Sequence, residues 1–187
     1  MQTQTDNSLM RLVQAGDTTQ LALLFERHHV ALFRYLLHLT SDRMLSEDLV
    51  QEVFLRVLKY TRSYDPSLSF RVWLYGMARN AYFDSLRKRR REVSSNGEMG
   101  EIASSEPMPE EISSSKQDAM FLREALMQLP VEKREVLVLS RFHELRYEEI
   151  ARILKCEIGT VKVRVYRALK ELREKFCELR GETLYDA

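Results

Sequence analysis

The sequence predicts an all-α protein made of two small helical domains, a helical bundle and a helix-turn-helix domain, joined by a flexible linker.

 Only 6 glycines and 4 prolines occur among 187 residues, whereas 44% of the residues are hydrophobic and 30% are charged. This composition favours helices over a turn-rich β fold. Apolar residues recur at helical spacing over residues 9–91 and again over 118–180. Residues 92–117 are rich in serine and acids and poor in large apolar groups, so we expect them to form a flexible acidic linker.

Several classes of protein are disfavoured by the composition. No apolar run approaches the roughly 20 residues of a membrane span, and the first residues lack the pattern of a secretory signal. The two cysteines, Cys156 and Cys177, form no CxxC motif and do not indicate a disulfide framework. We therefore expect a protein of the reducing cytoplasm that is not inserted in a membrane.

The charge is distributed unevenly although its formal sum is only +1. A basic run at 87–91 precedes the acidic linker, and residues 160–180 are basic again. Two basic patches could bind nucleic-acid phosphates. The alternative is that each run is merely the solvated end of a helix.

The N-terminal half is predicted to contain three main helices. The first spans Leu21 to Leu39, and residues 40–42 interrupt its pattern. Ser46 is the expected N-cap of the second, because Glu47 and Asp48 would then lie in its first turn. Its predicted core stripe consists of Leu49, Val53, Val57 and Tyr60.

Pro66 places a loop at residues 63–67, and a third helix is predicted from about Phe70 to Arg90. Its apolar stripe would contain Phe70, Leu74, Met77 and Ala81, with Trp73 beside it. An aromatic helix that runs into a basic cluster can stack on unpaired bases while holding phosphates. The alternative is that aromatic residues such as Trp73 and Tyr82 belong to the core.

The C-terminal half is predicted to contain helices at 120–129, 131–142, 147–154 and 160–179. The last two, joined by a short turn at 155–159, suit a helix-turn-helix whose second helix lies in the DNA major groove. Its buried side would carry Val161, Val165, Leu169, Leu172 and Phe176, and its outer side Lys162, Arg164, Arg167, Lys170 and Arg173. The alternative is an ordinary core helix with a charged face.

The string YEEIARILKCEIGTVKVRVYRALKELRE at 147–174 resembles region four of extracytoplasmic-function (ECF) sigma factors. The resemblance implies that this helix binds the minus-thirty-five promoter element, through Thr160, Lys162, Val163, Arg164, Tyr166 and Arg167. Two residues depart from the family pattern. Lys155 stands where the family usually has glycine, so we expect a strained or reshaped turn there. Val163 replaces a small polar residue and could contact a thymine methyl group.

The strings EDLVQEVF and FRVWLYGMARNAYFDSLRK resemble region two of the same family. The first implies binding to the beta-prime clamp of core RNA polymerase, through Asp48, Gln51, Glu52 and Leu55. The alternative, from residue chemistry alone, is that Glu52 simply pairs with Arg56 on the helix surface. The second implies melting and reading of the minus-ten element, with a flipped base captured by loop 64–69. The residues expected at that element are Tyr64, Ser67, Phe70, Trp73, Asn80, Asp84, Arg87 and Lys88.

The resemblance as a whole implies a promoter-recognition factor whose partners are promoter DNA, the polymerase beta-prime clamp and beta flap, and an anti-sigma factor. Two other classes of protein are alternatives. A plain helix-turn-helix regulator would explain residues 118–180 but not the N-terminal strings. An enzyme is disfavoured because the common phosphate-binding, dinucleotide, metalloprotease and hydrolase motifs do not occur. Adjacent His28 and His29 would point about 100° apart on a helix, which is a poor arrangement for a pair of metal ligands. Together with the missing motifs, this means that no metal, cofactor, small-molecule substrate or catalytic residue is predicted.

Overall fold

The structure, a computed structural model, describes residues 4–96 and 114–181. Every regular element in these two ranges is helical, which confirms the predicted all-α class. The chain divides into two compact units, one formed by the N-terminal and the other by the C-terminal helices. Most of the predicted linker, residues 97–113, lies outside the described residues.

The N-terminal unit contains four α-helices and one short turn of 3₁₀-helix. They are α1 (Asp6–Gln14), α2 (Gln20–Thr40), α3 (Arg43–Lys59), the 3₁₀ turn (Thr61–Ser63) and α4 (Phe70–Asn96). Helix α2 packs against the other three, and α3 also packs on α4. The core between them holds the fully buried side chains Leu24, Leu36, Tyr35 and Tyr75, with the two tyrosine rings 5.1 Å apart.

A tight corner joins α2 to α3. Ser41 adopts a left-handed conformation with φ 53°, and its N–H donates to the carbonyl of Leu37 at 2.9 Å, which closes the end of α2. The carboxylate of Asp42 then accepts from the N–H of Leu45 at 3.0 Å and caps α3. The predicted cap, Ser46, is wrong: it is buried inside the helix and its hydroxyl donates to the Asp42 carbonyl at 2.6 Å.

The predicted core stripe of α3 is correct except at its end. Leu49, Val53 and Val57 are buried, but Tyr60 is 47% exposed. The helix ends at Lys59, so the backbone at Tyr60 no longer has helical geometry and its ring leaves the buried face.

The C-terminal unit contains α5 (Ser114–Gln128), α6 (Val131–Leu137), α7 (Tyr147–Leu154) and α8 (Ile158–Arg180). The predicted helix at 131–142 instead ends in a π-helical turn at Val138–Phe142, where the N–H of His143 donates to the Val138 carbonyl at 3.1 Å. Arg134 ties α5 to α6 by donating to the carbonyls of Met127 and Leu129 at 2.9 and 3.1 Å. Helix α8 packs against both α5 and α6, which leaves one of its sides exposed.

Candidate polymerase and promoter interfaces

The turn between α7 and α8 has the geometry expected of a helix-turn-helix. Lys155 adopts φ 52°, and the N–H of Cys156 donates to the carbonyl of Ala151 at 3.0 Å. This six-to-one hydrogen bond with a left-handed residue is the Schellman arrangement, in which glycine is preferred at the position of Lys155. The strain expected from the sequence is therefore present in the backbone of this turn.

Helix α8 presents the whole predicted set of upstream-element residues to solvent. Val161, Val165 and Ala168 are buried against the rest of the unit, while the predicted Leu169, Leu172 and Phe176 are half-buried. Two exposed side chains on the outer side are apolar or aromatic: Val163 is 47% and Tyr166 is 71% exposed. The exposed set comprises Thr160, Lys162, Val163, Arg164, Tyr166 and Arg167.

Some cations of the C-terminal unit are paired with acids. Lys170 on α8 pairs with Glu174 at 4.0 Å, and Lys133 on α6 pairs with Glu171 on α8. Within residues 4–96 and 114–181, Lys162, Arg164 and Arg167 form no ion pair with an acidic side chain. Exposed cations without acidic neighbours suit phosphates and guanine edges.

Helix α3 exposes the predicted polymerase-binding residues along one side. Asp48, Gln51 and Leu55 are exposed, and Leu55 is 67% accessible. Met44, one turn before Asp48, is 77% exposed and extends the same stripe, although it was not predicted. Its spacing of four residues from Asp48 could have identified it. Exposed apolar groups at both ends of a polar stripe suit a protein partner.

Glu52 differs from its neighbours because it belongs to an ion-pair network between α3 and α4. Arg56 donates to Glu52 at 3.0 Å through Nε and to Asp84 at 2.9 Å through Nη1, and Arg87 also contacts Asp84. The pKa of Asp84 is lowered by the hydrogen bond from Arg87 and, against partial burial, by the one from Arg56. The i,i+4 pair between Glu52 and Arg56 is therefore formed, and Asp84 is held by two arginines.

The same network lines an open charged groove of about 520 Å³ between α3 and α4. Asp48 lines it from α3, and Lys88 and Arg89 line it from α4. Residues predicted for polymerase binding and for minus-ten recognition therefore meet along one groove.

The aromatic residues near the start of α4 form a cluster. The ring of Trp73 lies 5.1 Å from that of Tyr64 and 6.1 Å from that of Phe70. Phe70 is fully buried and Tyr64 is 3% exposed, whereas Trp73 is partly exposed. Burial raises the pKa of Tyr64 to about 12. In this structure neither Tyr64 nor Phe70 can stack on a base, so we assign them to supporting the loop, and Trp73 remains accessible.

The remaining predicted minus-ten residues are accessible. Ser67 lies exposed in the loop, where its N–H donates to the Asp65 carboxylate at 2.9 Å. Asn80, Arg87 and Lys88 are exposed along α4 at helical spacing. They provide an amide and two cations on the side of α4 that also carries Asp84.

Two further residues near the 64–69 loop were not predicted to have a function. Asn7 and Gln14, both on α1, donate side-chain hydrogen bonds to carbonyls of residues 61–68. The signal available in the sequence was weak: the two amides are polar positions on the helix face that also contains buried Met10.

The structure brings no metal-binding cluster together among the residues it describes. His28 contacts Asp6 at 2.7 Å and His29 contacts the Phe25 carbonyl at 2.9 Å, so the two rings have separate partners. Cys156 and Cys177 are both free thiols. Over residues 4–96 and 114–181, none of the helices combines the length and apolarity required to cross a bilayer.

The sequence matches two family models. One, described as Sigma-70 region 2, covers residues 24–92, and the other, described as Sigma-70, region 4, covers residues 121–172. The first includes α3 and most of α4, and the second includes the helix-turn-helix.

Full-length relatives and a solved structure agree with these matches. ECF RNA polymerase sigma factor SigL of Mycobacterium tuberculosis is 33% identical over 88% of this chain and 93% of its own length. SigE of Mycolicibacterium smegmatis, also an ECF factor, is 31% identical over 88% of this chain but only 64% of its own length. The sigma factor RpoE of Bartonella quintana, solved in complex with the anti-sigma factor NepR, matches with 28% identity and a TM-score of 0.71, covering 82% of this chain and 94% of that one. The chain therefore belongs to the ECF RNA polymerase sigma factors.

Proposed function

We propose that this chain binds core RNA polymerase and directs it to specific promoters, with α8 at the upstream element and α4 at the minus-ten element. The observation that carries this proposal is the exposed face of α8, where the cations Lys162, Arg164 and Arg167 have no acidic partner in the described residues. The second helix of a helix-turn-helix reads bases in the major groove with residues near its N-terminus. These residues lie within its first ten positions.

The polymerase would be held by the exposed stripe of α3, which contains Met44, Asp48, Gln51 and Leu55. Because Glu52 is engaged by Arg56, we give it a smaller share of the contact than Leu55. The expected partner surface is the beta-prime clamp. The beta flap is the partner expected of the C-terminal unit.

Minus-ten recognition is assigned to the 64–69 loop and the accessible side of α4. Trp73 would stack on an unpaired base, Asn80 would hydrogen-bond a base edge, and Arg87 and Lys88 would hold phosphates. Capture of a flipped base costs a few kcal/mol in lost stacking and pairing, which contacts in the loop would offset.

The chain would contribute no catalysis of its own and would act in the cytoplasm, where polymerase and DNA are found. The RpoE structure contains an anti-sigma factor, and we propose a partner of that class for this chain, released in response to stress. Such a partner would cover surfaces needed for polymerase or promoter binding.

A charge placed on the α3 stripe tests the polymerase contact. Leu55→Lys should weaken assembly with core polymerase by about tenfold or more, because an apolar side chain that anchors an interface contributes at least ~1.4 kcal/mol. Leu23→Lys, at an exposed leucine on α2, is the matched control and should assemble normally. Equal assembly by the two variants, measured by titration against labelled core polymerase, would remove α3 from the interface.

A further inference from the structure

Helix α1 braces the loop that is assigned to base capture. The side-chain amide of Asn7 donates to the carbonyl of Leu68 at 2.9 Å and lies 3.4 Å from that of Pro66. Its Oδ1 accepts from the N–H of Phe70 at 2.9 Å. One side chain of α1 therefore holds both the second half of the loop and the first residue of α4.

A second amide holds the start of the same segment. Gln14 donates through Nε2 to the carbonyls of Thr61 and Tyr64, each at 2.9 Å. Asn7 and Gln14 are seven residues apart on α1, two helical turns, so they face the same way. Together they contact the backbone on both sides of Asp65.

Contacts with α2 hold helix α1 itself in place, as a role in positioning the loop requires. Leu9, Met10 and Val13 are buried, and α1 packs on α2. Asp6 also forms hydrogen bonds with Arg27 at 2.8 Å and with His28 at 2.7 Å, both on α2. The position of α1 relative to α2 is thus held by apolar packing and by charge.

An amide is suited to this position because it both donates and accepts. The loop supplies only a few hydrogen bonds of its own: Ser67 and Leu68 donate to Asp65, and the Tyr64 hydroxyl donates to Leu68 at 3.1 Å. The two amides of α1 add donors to the carbonyls of Tyr64 and Leu68. A carboxylate at position 7 could still accept from Phe70 but would face the Leu68 carbonyl with a negative oxygen.

We propose that Asn7 and Gln14 are positioning residues for minus-ten base recognition, acting by holding the backbone of the 64–69 loop in its capture conformation. This inference rests on the proposed function, in which that loop receives the flipped base. Helix α1 lies outside the region 2 match, which begins at residue 24. A loop that is already ordered loses less conformational freedom when it binds, and it discriminates better between bases of different shape.

The test uses holoenzyme assembled from core polymerase and the full chain, on a promoter that the wild-type chain selects from a genomic pool. The four bases are exchanged at each minus-ten position, and promoter opening is measured with a fluorescent base analogue. The variants are Asn7→Asp, Asn7→Leu and Gln14→Leu. The control is Gln20→Leu, which removes an amide whose side-chain hydrogen bonds, within the described ranges, go to nearby Asp17 and Thr19.

We expect the preference between bases at one minus-ten position to fall about fivefold to tenfold in the Asn7 variants, the equivalent of one lost hydrogen bond. Gln14→Leu should lower the preference at the same position. Holoenzyme assembly and affinity for upstream duplex should stay within about twofold of wild type. Hydrogen exchange at the amides of residues 67–70 should become faster in the Asn7 variants only, because Gln14 and Gln20 do not contact that part of the loop.

Wild-type base preferences in all three variants would overturn the inference. So would a uniform loss at every minus-ten position, since this indicates general destabilisation and not the loss of loop order. If Asn7→Leu does not fold, Asn7→Asp and Gln14→Leu decide the question. A wild-type holoenzyme that opens no promoter would contradict the proposed function itself, whereas normal opening with unaltered variants contradicts only the bracing role.

Discussion

Arg167 is an exposed cation on α8, and among the described residues no acidic side chain neutralises it. Arg167→Ala should therefore weaken binding to upstream promoter duplex by about 1–3 kcal/mol. Arg173→Ala, an exposed arginine farther along α8, is the matched control. Fluorescence anisotropy at fixed salt measures both. If the two variants bind equally, Arg167 is not a base contact.

Asp84 is held by Arg56 and Arg87, which lower its pKa from the ordinary value of 3.8. Because the folded-state pKa lies below that of the unfolded chain, the network contributes stability fully above pH 3.8 and loses it as the pH falls through the lowered pKa. The coupling between Arg56→Met and Asp84→Asn should be about 0.5–1 kcal/mol at pH 7.

Urea unfolding of the wild type, the two single variants and the double variant measures this coupling at pH 7 and at pH 3. Coupling that is as large in acid as at neutral pH would show that the contact between Arg56 and Asp84 is not an ion pair.

The sequence was least informative about which side chains are exposed and which are buried. The resemblance placed Tyr64 and Phe70 at the minus-ten element, but both are buried where the loop folds back on α1, and the apolar stripe of α4 had already included Phe70. That contact joins residues more than sixty positions apart, and helical periodicity describes only neighbours within a helix. The exposed set on α8 was correct because a single helix packs on one side only.

The corner between α2 and α3 depends on Asp42 more than on Ser46. Asp42→Ala should destabilise the N-terminal unit by about 1 kcal/mol, through loss of the cap on Leu45. Asp42→Asn keeps an acceptor and should cost much less. The only tryptophan, Trp73, reports unfolding of this unit by fluorescence. Equal losses in the two variants would assign the effect to the charge near Arg89 instead of the cap.

The turn of the helix-turn-helix carries strain at Lys155, which has φ 52°. Lys155→Gly should stabilise the C-terminal unit by about 1 kcal/mol, since glycine adopts this conformation without a steric penalty. Lys155→Ala removes the same charge but keeps Cβ and should give no such gain. Circular dichroism should show the shift while Trp73 fluorescence stays unchanged. A similar gain in both variants would attribute the effect to charge.

Element boundaries were predicted better where the sequence carries a local signal than where tertiary contacts decide. Helix α7 begins and ends as expected, at Tyr147 and Leu154, because its apolar spacing and the following turn are local. The π-helical turn at Val138–Phe142 was missed, since a helical pattern of apolar residues does not distinguish it from a regular α-helix. Helix α4 continues to Asn96, past the predicted end, through residues that also suit a linker by composition.

At the scale of the whole molecule, the division into two helical units was predictable from composition and helical periodicity. The serine-rich and acidic stretch separates two segments with helical periodicity, and the compact units divide within it. The function was predictable only from the sequence strings that resemble regions two and four of ECF sigma factors, because basic patches and helix-turn-helix geometry also suit a simple DNA-binding regulator. The region 2 match over residues 24–92 distinguishes the two classes.

The most direct test of the account is transcription by purified core polymerase on a genomic promoter pool, with and without this chain. The account predicts run-off products that begin at defined start sites only when the chain is present. It also predicts that Leu55→Lys and Arg167→Ala each reduce them, the first through assembly and the second through upstream binding. Upstream DNA binding by the isolated chain with no start site added to those of core polymerase alone would contradict the account and favour a plain helix-turn-helix regulator.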